Sequence, residues 1–117
     1  MSVFNALPAM IHELFPNAQI IRCDYLGYSS GYHIVFENGS TVSIQYGPGT
    51  SSTNRHRGIH EVPALGWIST AITCEVAAWD SNKDWILSPN SNITEGYCSI
   101  QEAMTIIKAV GNGYGAN

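Results

Sequence analysis

Between Ala18 and Leu26 the apolar positions Ile21, Cys23 and Tyr25 alternate with Arg22 and Asp24, a period of two that predicts a β-strand. Gly27-Tyr28-Ser29-Ser30-Gly31 follows as a turn. Tyr32, Ile34 and Phe36 then alternate with His33 and Glu37, and Val42, Ile44 and Tyr46 alternate with Ser43 and Gln45. The Asn38-Gly39 pair between these runs predicts a hairpin closed by a type I′ turn, with positive φ at both residues. Further on, Ile72, Cys74, Val76 and Ala78 alternate with Thr73, Glu75 and Trp79, and Asp80-Ser81-Asn82-Lys83-Asp84 turns this strand into a short partner containing Trp85, Ile86 and Leu87. Asp80 and Asp84 are read there as turn formers, because Asp bonds readily to its own local backbone.

The period lengthens at the two ends. Val3, Phe4, Leu7, Met10, Ile11 and Leu14 fall at helical spacing, Pro8 shortens or restarts the helix and Pro16 stops it, so residues 8–15 are predicted helical. Near the C-terminus Ser99 and Glu102 form a capping box, Ile100, Ala103, Met104, Ile107 and Val110 make one apolar face, and Gly111 stands where a C-cap is wanted. Residues 112–117 are expected to fray. The sum is an α+β fold, an antiparallel sheet of about five strands built from two hairpins and flanked by two helices, in one domain over 1–117. One sheet face needs the helices as its apolar cover; His33, Ser43, Gln45, Thr73 and Glu75 predict a polar, solvated face opposite, open to a ligand or a second copy. A symmetric homo-oligomer is the default expectation for so small a domain with an exposed sheet edge or face.

Charge changes the picture more than composition does. Only 12% of residues are charged, about half the usual share, and the formal net charge is -4 with five basic residues in all. General nucleic-acid binding, which needs a concentrated Lys/Arg surface, is disfavoured. Cys23, Cys74 and Cys98 are odd in number and set among apolar residues, which predicts buried free thiols and a reducing, cytoplasmic compartment. No apolar run reaches the length of a membrane span.

Residues 47–66 carry four glycines and two prolines without a sustained period, and a loop of that length in a small domain is a functional candidate. Arg55 and Arg57 lie in it with Asn54, His56 and His60. The Gly47-Pro48-Gly49 start lets backbone N–H groups approach an anion, an arginine fork matches phosphate, and Tyr46 and Trp67 flank the loop as stacking surfaces. Tyr46, Gly47, Gly49, Asn54, Arg55, Arg57 and Trp67 are therefore the candidate ligand or partner residues. The bland reading, a solvated loop whose arginines pair with some of the nine acids, stands beside it. The segment lacks the glycines of a dinucleotide fingerprint and the Lys of a P-loop, and Gly58 separates His56 from His60, so no metal, cofactor or catalytic set is assigned.

Thr41-Val42-Ser43-Ile44-Gln45-Tyr46-Gly47-Pro48-Gly49, then Asn54-Arg55, then Glu75-Val76-Ala77-Ala78-Trp79-Asp80, with Gly96-Tyr97 and the last helix in order, resembles a family of small phage-encoded proteins of uncharacterised activity. The resemblance covers roughly residues 31–110 and leaves residues 1–17 as an N-terminal helical addition. It implies a viral origin, and with it a non-enzymatic protein that inhibits a host protein, a bacterial defence factor such as a nuclease complex, in the host cytoplasm. Two alternatives stand: a sponge for a nucleotide-like immune signal held by the 47–58 loop, and a small hydrolase using His56 or His60 with Glu61 or Glu75.

Overall fold

The computed structural model describes residues 3–25, 29–46, 74–88 and 98–116. A 3-10 turn, Val3–Ala6, leads into α1, Leu7–Leu14; the strands are β1 Gln19–Tyr25, β2 Ser29–Val35, β3 Thr41–Tyr46, β4 Glu75–Trp79 and β5 Trp85–Leu87, and α2 is Ile100–Gly111. The strands form one antiparallel sheet in the order β1-β2-β3-β4-β5. This is the α+β fold that the alternation predicts. Among the described residues, no helix is long and apolar enough to cross a membrane.

The register runs in rows across the sheet. Ile20, Ile34, Val42 and Ala78 lie opposite one another, and so do Arg22, Tyr32, Ile44 and Val76. Side chains of these rows share a buried cluster with Phe4, Leu7 and Ile11 from the N-terminal elements and Ala103, Met104, Ile107 and Val110 from α2. Both helices thus cover the same face. Phe4, Leu7 and Ile11 are fully buried, so the 3-10 turn and α1 contribute to the core.

The β2–β3 hairpin departs from the expected turn. Only Gly39 has positive φ, 86°, while Phe36 N–H donates to Ser40 O at 2.9 Å and Gly39 N–H to Phe36 O at 3.0 Å. This is a three-residue loop, a type I turn followed by a left-handed glycine, rather than a two-residue type I′ turn. Asn38 is held in the turn by two side-chain bonds: its Oδ1 accepts from Ser40 N–H at 2.9 Å, and its Nδ2 donates to Val110 O at 3.1 Å, tying the hairpin to the end of α2.

Two glycines also act differently from the sequence reading. Gly31, expected in a turn, lies inside β2, where a Cβ would stand 1.8 Å from Ile44 O; it is a point of close backbone approach. Gly111 is the last helical residue, packed so that a Cβ would meet Phe15 and Phe36, and the left-handed position passes to Gly113 at φ 105°. Gly113 N–H donates to Val110 O and Tyr114 N–H to Ala109 O, a Schellman closure of α2. The N-terminal capping box is as predicted, with Glu102 N–H donating to Ser99 Oγ at 3.1 Å and Ser99 N–H to Glu102 Oε1 at 3.0 Å.

The β4–β5 turn is organised by Asp80, whose Oδ1 accepts from the N–H groups of Asn82 at 2.8 Å and Asp84 at 3.0 Å. With the residue 2% exposed, these bonds stabilise a carboxylate that water reaches poorly. Asp80→Ala is expected to cost roughly 2 kcal/mol, since two backbone donors lose a charged acceptor. Gly31→Ala should cost more, about 3 kcal/mol, because the clash is with backbone that must move. Urea unfolding followed by circular dichroism measures both, and a Gly31→Ala protein as stable as the parent would contradict the β2–β3 geometry.

Candidate functional site

Among the described residues both helices lie on one sheet face; the opposite face, helix-free in that sense, carries further chemistry available for binding. Its rows are Val35, Thr41, Trp79 and Trp85; Ile21, His33, Ser43 and Ala77; and Cys23, Gly31, Gln45 and Glu75. His33, Ser43, Gln45 and Glu75 stand on this face as the alternation predicts, while Thr73 lies outside the described residues. The expected polar, solvated face is corrected: Ile21, Val35, Ala77, Trp79 and Trp85 share it, and Thr41, Ser43 and Ala77 are buried.

Three of these side chains form a ladder. The His33 imidazole meets Trp79 edge to face with centroids 5.4 Å apart, and Trp79 meets Trp85 edge to face at 5.8 Å. Such contacts hold large rings in fixed orientations on the pleat. Trp85 remains 58% exposed at the β5 end and Ile21 43% exposed at the β1 end. Rigid, exposed tryptophan is the side chain most often found at the energetic centre of protein interfaces. By contrast, the outer groove between α1 and α2, about 460 Å³, is lined by Met10, Leu14, Ile100 and Met104, with Glu13 and Lys108 as its charged groups.

The orientation of β1 is reversed from the sequence reading. Ile21 and Cys23 face the helix-free side, and Arg22 and Asp24 share the other side with Tyr32 and Ile44. An edge strand allows this, since Ile20 fills the core position and the long Arg22 stem lies along apolar surface with its head at the margin. The guanidinium stacks over Tyr32 at 5.0 Å, donates from Nε to Asp24 Oδ1 at 3.0 Å, from one terminal nitrogen to Tyr32 Oη at 2.7 Å and from the other to Ser30 Oγ at 2.5 Å. Ser30 Oγ also donates to Asp24 Oδ1. Burial opposes the charged guanidinium, but the Asp24 bond and the nearby Tyr46 and Tyr32 hydroxyls hold its pKa above the ordinary value. The Ser30 and Arg22 bonds lower that of Asp24 against the opposing effect of burial. With all three Arg22 nitrogens engaged, the cluster joins β1 to β2.

Of the residues singled out in the sequence, the structure places Tyr46. It is fully buried at the end of β3, its ring stacked on Phe4 with centroids 4.8 Å apart. Its hydroxyl is buried close to Tyr32 and Ser30, and burial raises its pKa. Gly47, Gly49, Asn54, Arg55, Arg57 and Trp67 lie outside the described residues, as do His56, His60 and Glu61. Cys74 and Cys98 are buried free thiols held opposite each other by two backbone bonds, Cys74 N–H to Cys98 O at 2.8 Å and Cys98 N–H to Cys74 O at 3.0 Å; Cys23 is half-buried. Among the described residues, no group of three or more His, Cys, Asp and Glu could hold a metal. Neither strand segment alone displays the aromatic ladder; the opposition of Trp79 and Trp85 across the Asp80–Asp84 turn is its signal in the sequence.

No protein-family model, curated protein or solved structure matches the chain.

Burial lowers the His33 pKa from its ordinary 6.5, so the folded protein holds a neutral imidazole at neutral pH. The unfolded chain then binds the proton more readily, and stability present above 6.5 falls as pH drops through the lower folded value. Titration of the His33 ring by NMR is expected to show a midpoint below 6.5, and one at or above 6.5 would contradict its enclosure against Trp79.

Proposed function

We propose that the chain is a phage-derived binding protein that inhibits a host bacterial protein, a defence factor such as a nuclease complex, and that it engages this partner through the helix-free face of its sheet. The observation that carries the reading is the exposed Trp85 held edge to face on Trp79, itself edge to face on His33. Aromatic rings fixed in orientation lose little conformational entropy on binding and exclude water from the contacts around them. The low charge content suits an interface based on shape and hydrogen bonding more than on charge steering. The Thr41–Gly49 and Glu75–Asp80 runs, which carry the phage-like pattern, include two of the three interior strands, β3 and β4.

The test expresses the chain in bacterial strains that each carry one defence system and measures phage plaquing. Restored plaquing in one such strain is expected, and Trp85→Ala, at equal protein abundance, should remove it by weakening partner binding roughly thirtyfold or more. Restoration in no armed strain would overturn the anti-defence reading. Restoration that survives Trp85→Ala but fails with Arg55→Ala and Arg57→Ala would transfer the effect to a nucleotide-like signal held by residues 47–58.

A further inference from the structure

The β1 edge of the sheet is built to pair with itself. This seven-residue strand is the first in the sheet order, and Gln19, Ile21, Arg22 and Asp24 along it are exposed. A strand of that length at a sheet margin presents a row of N–H and C=O groups to any chain able to match them.

Which groups it presents follows from the hairpin. Phe36 N–H donates to Ser40 O, so in the ladder that continues this register the even-numbered residues of β2 bond toward β3. The odd-numbered residues of β2 therefore bond toward β1, where Gly31 opposes Cys23 and His33 opposes Ile21. Ile21 and Cys23 use their backbone groups inside the sheet, and Ile20, Arg22 and Asp24 direct theirs outward.

A second copy pairing antiparallel about a twofold axis matches outward groups to outward groups at any residue of the strand; centring on Ile21 sets Arg22 opposite Ile20 and gains no charge pair, which leaves Arg22, Cys23 and Asp24 to compare. Centring on Arg22 sets two guanidinium groups opposite each other, and centring on Asp24 sets two carboxylates opposite each other; like charges directly opposed destabilise a ladder. Centring on Cys23 sets Arg22 of each copy opposite Asp24 of the other, two opposite-charge pairs that each exchange two backbone hydrogen bonds. We infer that the protein forms a twofold-symmetric dimer through β1 in this register, joining two sheets into one and leaving each Trp85 at an outer end of a continuous helix-free face.

The register has a signature. Cys23 meets Cys23 of the second copy as a non-hydrogen-bonded pair on the helix-free side, where Cα atoms stand about 4.5 Å apart, within the range a disulfide spans. Cys74 and Cys98 are buried and cannot serve as this link without unfolding.

Sedimentation of the reduced protein tests the assembly, with a species of twice 12.7 kDa expected. Copper-phenanthroline then tests the register: two thiols yield a disulfide, their two electrons pass to Cu(II) and their protons to solvent. A covalent dimer from the native protein, absent in Cys23→Ser, is expected. Hydrogen exchange supplies a readout that needs no substitution, since the Arg22 and Asp24 amides should gain protection as concentration rises while the Cys23 amide is protected throughout. Asp24→Lys, which opposes like charges in both pairs, should raise the dimer dissociation constant on the order of tenfold. A monomer at all concentrations, or a dimer whose Arg22 and Asp24 amides exchange as freely as in the monomer, would overturn the inference.

Discussion

The register of the β2–β3 hairpin is the constraint on which the rest depends. Side chains along a strand alternate between faces, so a slip of one residue would turn either Ile34 of β2 or Val42 and Ile44 of β3 out of the core. The Phe36–Ser40 bond and the left-handed Gly39 fix that register at the turn, and the Asn38 bond to Val110 O fixes the turn against α2. Gly31 fixes it at the other end, because only a residue without Cβ fits against Ile44 O. From these contacts follow the helix-covered core, the position of Trp79 opposite Thr41, and the direction in which β1 points its backbone.

The two faces then divide the work of the molecule. One is closed by Phe4, Leu7, Ile11, Ala103, Met104, Ile107 and Val110, whose burial is the main favourable contribution to folding. Among the described residues no helix lies on the other, where His33, Trp79 and Trp85 make successive edge contacts that end on the exposed Trp85. Exposed tryptophan in an ordered ladder contributes less to folding than it would in a core, and this favours a role in binding for it. The Arg22 donors serve Asp24, Tyr32 and Ser30 within the chain, so the cluster fixes β1 on β2 and with it the edge offered to a second copy.

What the sequence made legible was periodic. Alternation located the strands, and the Ser99–Glu102 box with its apolar stripe located α2, because these patterns arise from local geometry. Less legible were features whose cause lies elsewhere in the fold. Gly31 and Gly111 read as punctuation, yet one serves a neighbouring strand and the other two phenylalanine rings. Arg22 and Asp24 read as outward residues, yet an edge strand let Arg22 lie over Tyr32. Of the candidate site only Tyr46 falls within the described residues, in the core against Phe4, while the aromatic ladder depends on a cross-strand pairing that no single segment displays.

His33, Trp79 and Trp85 share the sheet face opposite α1 and α2, and nuclear Overhauser effects between their ring protons test this most directly. Cross-peaks from His33 to Trp79 and from Trp79 to Trp85, with none from Trp85 to Ile107 or Val110, are the predicted result. Cross-peaks placing Trp85 against those α2 residues would contradict the register and remove the proposed binding face.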